Sequence, residues 1–280
     1  MNININGKLL SESEFIFSSS NRGFLYGDNI FQTILYSNKK LLFWEEHYFR
    51  LMGGATIMRM YIPQNLNLEY LCDEIIKTID SCILSNETCR VRISAFRSKG
   101  GYYFPTNNKM NYLIHVKKIE KKYLNILVGK KIDVFYDHFK PKYQLANFKG
   151  NFSIISTLSA IFANENKLDE SIILNSSSEI CETTSSNIFL IFKNDIVTPI
   201  IESGCVDGVV RKVLIDFLRN QGYNLIEREV KTFDLIKADE VFLTNSIKML
   251  HWVSSYKNKK YNNVLFKEIQ YSFMKKFNIR

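Results

Sequence analysis

Lys149 stands in the run Asn147-Phe148-Lys149-Gly150-Asn151-Phe152, and thirty-three positions later Glu182 opens Glu182-Thr183-Thr184-Ser185-Ser186-Asn187. Upstream lies Arg50, in Glu46-His47-Tyr48-Phe49-Arg50. Downstream, Val206-Asp207-Gly208-Val209-Val210-Arg211 leads into a helical stretch. Each of these is ordinary alone. Together they offer an amine that can condense with an aldehyde and a carboxylate that can pair with a protonated ring nitrogen. They also offer a cation with helix-start amides that can hold a phosphate. An aldehyde, a basic aromatic nitrogen and a phosphate on one small molecule describe pyridoxal 5'-phosphate, whose ring stores the electron pair left when a bond to a substrate α-carbon breaks.

For such a role Lys149 must titrate well below the free value of ~10.4, which burial and a nearby cation achieve. Its place between apolar Phe148 and small Gly150, ahead of a helix, suits a desolvated amine; the ordinary alternative is a surface lysine in a turn. Glu182 ends a strand-like stretch and is followed by small and polar residues, so it is not a helix-surface glutamate, although a turn carboxylate capping local amides has the same pattern. Gly208 permits close approach of a ligand, and the N–H groups of Val209 and Val210 fall in the first turn of the helix, where no intrahelical acceptor exists. Ser246, in Thr244-Asn245-Ser246, offers a hydroxyl.

The rest of the composition narrows the class. A chain of 280 residues with 46% hydrophobic content suggests two lobes of roughly 120–160 residues. We expect a first lobe over 1–120, a connector over 121–130, and a second lobe over 131–280 that carries Lys149. The apolar runs are strand-sized, so no membrane span is expected, and the start of the chain lacks a signal-peptide profile. Cys72, Cys82, Cys89, Cys181 and Cys205 are odd in number and form no close pair. They read as buried thiols of a cytoplasmic protein, neither bridges nor metal ligands. The net charge of +9 is spread along the chain; it suits anionic small molecules, and nucleic-acid binding is not expected.

The elements that must position these residues follow from periodicity. Met1–Leu10 alternates around an Asn6-Gly7 turn, and Phe31–Tyr36 and Lys40–Trp44 flank a second turn at 37–39. Glu45–Met60 and Asn67–Leu84 have helical spacing; Gly53-Gly54 in the first costs about 1 kcal/mol per glycine and implies close packing of another backbone. Cys89–Phe96 and Asn111–Lys117 are strands flanking a loop, Arg97 to Pro105, crowded with Tyr102, Tyr103 and Phe104. Those aromatics need a cover, either a partner subunit or the wall of an active site. Further on, Lys131–Phe135, Ser171–Leu174, Ile188–Phe192, Ile196–Thr198, Asn224–Val230 and Glu240–Leu243 read as strands, and Phe152–Asn166 and Gly208–Gln221 as helices.

The order Arg22-Gly23-Phe24-Leu25-Tyr26-Gly27-Asp28, Glu46-His47 with Arg50-Leu51, Lys149, Glu182 with Asn187-Ile188-Phe189, Thr198-Pro199, and Gly208-Val209-Val210-Arg211 resembles the class IV aminotransferase family. These are the fold-type IV pyridoxal phosphate enzymes: branched-chain and D-amino acid aminotransferases and aminodeoxychorismate lyases. The resemblance implies a two-lobed α+β fold, with a small N-terminal α/β lobe, a larger C-terminal pseudo-barrel lobe and the cofactor between them. It makes Lys149 the Schiff-base lysine, Glu182 the partner of the pyridine nitrogen and Arg50 the phosphate arginine. Val209 and Val210 become the phosphate-binding amides, Val206 the apolar residue under the ring and Ser246 a second phosphate hydroxyl. Family members are usually homodimers in which a loop from the neighbour closes each site, and Tyr102–Phe104 lies where that loop falls.

The departures bear on subclass. The usual glutamate after Gly-Asp-Gly-x-aromatic is Gln32, a phosphate-turn threonine is Val210, and the Glu-Gly signature of branched-chain enzymes is Glu182-Thr183. No Arg-x-His follows Arg97, and Arg97 is the only candidate for the arginine that lyases often carry in this loop. Phe31, Trp44 and Tyr102 suggest an apolar pocket for a small, branched-chain-like amino acid, and hence transamination. The alternative is lysis of aminodeoxychorismate to 4-aminobenzoate and pyruvate. A third reading is a degenerate member that binds without catalysing.

Overall fold

The structure, a computed structural model, describes residues 1–120, 128–151 and 153–279. Residues 121–127 of the expected connector, and Phe152, the expected start of a helix, lie outside the described residues. The chain forms two compact units, Met1–Tyr123 with Phe148–Phe152, and Leu124–Asn147 with Ser153–Arg280. Lys149 therefore packs with the first unit, although in sequence it falls among the residues of the second.

The first unit is a six-stranded antiparallel sheet with helices on one face. β1 (Asn2–Ile5) and β2 (Lys8–Ser11) form the expected hairpin, and α1 (Arg22–Leu25) is a single turn. β3 (Asn29–Ser37) pairs with the short β4 (Lys40–Leu41), and the chain then enters α2 (Trp44–Ile57) and α3 (Leu68–Ser81). Asn67 starts α3 by accepting the Tyr70 N–H on its side chain, the usual way of satisfying an orphan amide. β5 (Cys89–Arg97) and β6 (Met110–Lys118) complete the order β2-β1-β6-β5-β3-β4. Alternation along β5 and β6 sends Val91, Ile93, Ile114 and Val116 inward against Leu51, Leu71, Ile75 and Ile79 of α2 and α3. β3 departs from alternation: all nine of its residues are buried, so its second face is also covered.

Two local expectations change. The second hairpin is shorter than its pattern suggests, because Trp44 begins α2 instead of ending a strand. The close approach that Gly54 permits is made by side chains, not backbone. A Cβ there meets Ile30 Cδ1 at 2.8 Å and Phe148 Cδ1 at 3.0 Å.

The second unit holds one nine-stranded sheet. It begins with β7 (Lys130–Lys140) and α4 (Ile154–Glu165), then β8 (Glu170–Asn175), β9 (Ile180–Thr183), β10 (Asn187–Phe192) and β11 (Asp195–Pro199). α5 (Val209–Asn220), β12 (Asn224–Arg228), α6 (Thr232–Lys237), β13 (Glu240–Asn245), β14 (Met249–Tyr256), β15 (Lys259–Lys260) and α7 (Val264–Lys276) follow. The path β12-β11-β10-β13-β14-β7-β8-β9 mixes parallel and antiparallel pairs, with β15 alongside β14. The sheet curls until β9 also packs against β10. Inside the curl lie Ile172, Leu174, Ile180, Ile188, Leu190, Val241 and Leu243. Among the described residues no helix is long and apolar enough to cross a membrane. The five cysteines are free thiols, with Cys89, Cys181 and Cys205 buried and Cys72 and Cys82 partly so.

The Gly54 contact yields a prediction. Gly54→Val forces a branched Cβ against Ile30 and Phe148, and overpacking of this kind costs about 1–3 kcal/mol. Chemical denaturation of the variant is expected to show that loss.

Candidate active site

In the first unit, β3 and α2 bring together Lys149, Phe31, Gln32, His47 and Arg50. The segment carrying Lys149 docks on β3 as a short antiparallel bridge, Gly150 opposite Ile30. The Phe31 N–H donates to the Lys149 carbonyl at 2.7 Å, and the Asn151 N–H donates to Asn29 Oδ1 at 3.2 Å. The Lys149 ammonium then lies 5.6 Å from the centroid of the Phe31 ring. The guanidinium of Arg92 packs over the same ring at 3.6 Å. Two cations near the π-face of one buried phenyl ring are held by its quadrupole. Burial, aided by the neighbouring charge of Arg90, lowers the Arg92 pKa to about 10.

His47 and Arg50 are three residues apart on α2 and so share a face. Both meet Gln32 of β3. Its Oε1 accepts from Arg50 Nη2 at 2.6 Å and Arg50 Nε at 3.0 Å, and it lies 3.1 Å from His47 Nδ1. Because guanidinium nitrogens are donors only, the atom facing them must be the amide oxygen, and His47 must then carry its proton on Nδ1. Burial, followed by the charges of Arg50 and Lys149, holds the His47 pKa well below its ordinary value, so the ring is neutral.

The other two expected pocket residues go elsewhere within this unit. The Trp44 indole packs with the helices and donates Nε1–H to the Leu68 carbonyl at 3.2 Å. Tyr102 sits on the exposed loop with Tyr103 and Phe104. Arg97 is fixed in the core of the unit. It pairs with Asp28 at 2.8 Å and donates to the carbonyls of Met58 and Arg59. Arg22 shares that carboxylate at 2.9 Å and reaches the carbonyls of Gly100, Gly101 and Tyr102. The motif Arg22 to Asp28 therefore serves to hold the aromatic loop.

In the second unit, β9 carries Glu182 opposite Ile173 of β8. Its Oε2 accepts the Val206 N–H at 2.7 Å, and its Oε1 pairs with Lys140 Nζ at 2.6 Å. A carboxylate offers about four acceptor sites, so these two partners leave capacity for a ring N–H. Lys140 was not foreseen. It lies forty-two residues from Glu182 and is brought to it by the pairing of β7, β8 and β9.

The turn before α5 is fastened by two asparagines. Asn147 donates to the carbonyls of Ile201 and Cys205, and its own carbonyl accepts the Asp207 N–H at 2.9 Å. Asn187 donates to the Val206 carbonyl at 2.8 Å. A Cβ on Gly208 would lie 2.0 Å from Asn187 Oδ1, so the bare backbone here makes room for the Asn187 side chain. Val209 and Val210 begin α5 with buried side chains, and their amides lie in its first turn, where a helix binds anions. Ser246 follows β13 in a turn closed by Asn245, whose Oδ1 accepts the N–H groups of Ile247 and Lys248 and whose Nδ2 donates to Ser186 Oγ. Beneath this turn Glu170 is buried. Desolvation pushes its pKa up, but His251, whose Nε2 lies 3.5 Å away, and the hydroxyls of Thr183 and Ser186 bring it down to about 2. Asn147 and Asn187 were visible in the motifs; Glu170 and Lys140 carried no local signal.

The chain belongs to the class IV aminotransferase family: the model of Amino-transferase class IV matches residues 29–256. That family works with pyridoxal 5'-phosphate. Among curated relatives, the aminodeoxychorismate lyase of Bacillus subtilis is 26% identical over 255 residues, 88% of this chain and 83% of that protein. Among solved structures, the branched-chain aminotransferase of Thermoproteus uzoniensis with norvaline superposes with a TM-score of 0.89 at 20% identity, covering 99% of this chain and 94% of that one. The branched-chain amino acid aminotransferase from Escherichia coli gives 0.87 at 20% identity, covering 99% and 94%. The α+β fold is thus that of fold-type IV.

Each unit by itself carries groups that suit the cofactor: the first the Lys149 amine, the second Glu182, a carboxylate with spare acceptor capacity, and the amides in the first turn of α5.

His47 gives a prediction with a definite sign. Its folded pKa is depressed, so below the unfolded value of about 6.5 the unfolded chain binds the extra proton. Stability is then complete above that pH and falls beneath it, by at most about 1.4 kcal/mol per pH unit. Denaturation between pH 7 and 5 is expected to show this slope, and His47→Asn to flatten it.

Proposed function

We propose that this protein is a pyridoxal 5'-phosphate-dependent aminotransferase acting on a small amino acid with an apolar, branched-chain-like side chain. The observation that carries the proposal is the docking of Lys149 on β3, which sets its amine beside the buried Phe31 ring. Bound cofactor supplies the electron sink. Lys149 would hold the aldehyde carbon of the cofactor and, once released by the substrate amine, would move the proton at the substrate α-carbon. Glu182 would keep the ring nitrogen protonated by charge pairing, and Val206 would supply apolar surface to the ring. Arg50, the amides of Val209 and Val210, and the Ser246 hydroxyl take the phosphate. Phe31 supplies apolar surface to the substrate side chain.

The subclass rests on Arg97. A lyase would use an arginine of this loop toward its substrate. Here the Arg97 guanidinium is committed to Asp28 and to two backbone carbonyls, which favours transamination. The working form is a cytoplasmic homodimer. The exposed Tyr102, Tyr103 and Phe104, near exposed Tyr26, are the apolar surface for a second copy, and five free thiols fit a reducing compartment.

The test is a product assay on the protein loaded with cofactor. Leucine, isoleucine or valine with 2-oxoglutarate is expected to give the branched 2-oxo acid. Release of pyruvate and 4-aminobenzoate from aminodeoxychorismate without any acceptor, and no oxo acid from the amino acids, would overturn the aminotransferase reading in favour of the lyase.

A further inference from the structure

Glu170 opens β8 and is 5% exposed. Its two oxygens collect donors from the turn between β9 and β10. Oε2 accepts the Thr183 hydroxyl and the Ser185 N–H, the latter at 3.3 Å, and Oε1 accepts the hydroxyls of Ser186 at 2.9 Å and Ser185 at 3.2 Å. Ser186 Oγ accepts in turn from Asn245 Nδ2 at 3.0 Å. Asn245 Oδ1 accepts the N–H groups of Ile247 and Lys248 at 3.0 and 2.8 Å. The geometry points to Glu170 as a positioning residue for phosphate binding: through Ser186 and Asn245 it sets the turn that carries Ser246. The inference deepens the proposed function and rests on the reading of Ser246 as a phosphate ligand.

The polarity of these hydrogen bonds is dictated from both ends. An ionised carboxylate only accepts, and a serine hydroxyl has one proton to give. Ser186 therefore spends its proton on Glu170 and turns a lone pair toward Asn245. At the other end the backbone N–H groups of Ile247 and Lys248 only donate. Asn245 must meet them with its carbonyl oxygen, which leaves its NH2 group for Ser186. The two demands agree at the Ser186–Asn245 contact. Each bond in such a chain also polarises the next, so the charge on Glu170 strengthens the hold on Asn245.

The surroundings keep this end of the chain an acceptor. The Glu170 carboxyl, held near 2 despite its burial, is an anion at any ordinary working pH. Thr183, Ser186 and His251 around it are buried as well, so water does not compete for its oxygens. Glutamine at 170 would keep the shape and break the order, because one end of an amide is a donor. Facing the Ser185 N–H, that end meets a donor that cannot rotate away. Facing Ser186, it leaves the hydroxyl proton without its acceptor.

The test measures, by calorimetry on the full chain, the affinities for pyridoxal 5'-phosphate and for pyridoxal, which lacks the phosphate. Their ratio reports the phosphate contacts alone. Glu170→Gln and Ser186→Ala are each expected to lower that ratio by about tenfold, the worth of one hydrogen bond to a charged group. Amide hydrogen exchange at Ile247 and Lys248, followed by NMR, should quicken in both. Thr183→Val removes a Glu170 partner outside the chain of bonds and is expected to leave the ratio unchanged, so a general loosening of the turn is told apart from loss of the connection. An unchanged ratio in folded Glu170→Gln overturns the inference, as does a fall in Thr183→Val equal to that in Ser186→Ala. Should Glu170→Gln not fold, Ser186→Ala decides, and an unchanged ratio there overturns the inference. Ser246→Ala separates the two readings. If it leaves the ratio intact, the role of Ser246 fails and the inference with it; if it lowers the ratio while Glu170→Gln and Ser186→Ala do not, only the role of Glu170 fails.

Discussion

The 2.7 Å hydrogen bond from the Phe31 N–H to the Lys149 carbonyl fixes the backbone from which the Lys149 amine extends. It ties a five-residue segment to the strand that carries Phe31 and Gln32, so the Lys149 amine starts from a backbone that cannot drift. Phe148 anchors the segment on one side by filling the space above Gly54, and Asn29 holds it on the other by accepting from Asn151. A reactive amine on a free loop would sample many positions. One attached to a strand buried on both faces samples few, which is the pre-organisation that the nucleophilic role proposed for Lys149 requires.

Charge is sorted in a matching way. In the first unit the cations Lys149, Arg92 and Arg50 gather near the Phe31 ring and an uncharged amide. In the second unit, Glu182 is buried but supported by an ammonium and a backbone N–H. A carboxylate taken out of water without such partners would cost several kcal/mol. Glu170 is supported in the same way by hydroxyls and by His251. Both buried carboxylates thus have neighbours that offset the cost of their desolvation.

The sequence carried the local features well. Hairpin turns, the amphipathic α3 and the glycine before α5 follow from nearest-neighbour chemistry, and each appeared within three residues of its expected bounds. Lys149 and Glu182 stood out in the sequence because their flanking residues are unusual for surface positions, and Glu182 is buried. What stayed hidden was set by long-range pairing. β14 was missed because it runs in the middle of the sheet, buried on both faces over much of its length, so it lacks alternation. α7 buries Phe266, Ile269 and Phe273 while exposing Val264 and Tyr271, which blurs its apolar stripe. Lys140 meets Glu182 only through strand order. The pocket role foreseen for Trp44 gave way to packing between α2 and α3, where its indole finds a carbonyl acceptor.

The central claim is that the amine at position 149, among the many lysines of this chain, is the one that bonds the cofactor. Reduction of the protein with borohydride in the presence of pyridoxal 5'-phosphate, followed by peptide mapping, tests it most directly. The account predicts one stoichiometric pyridoxyl adduct, on the peptide containing Lys149, and its loss in Lys149→Ala. A stoichiometric adduct on a different lysine, or no adduct on a folded protein saturated with the cofactor, would contradict it.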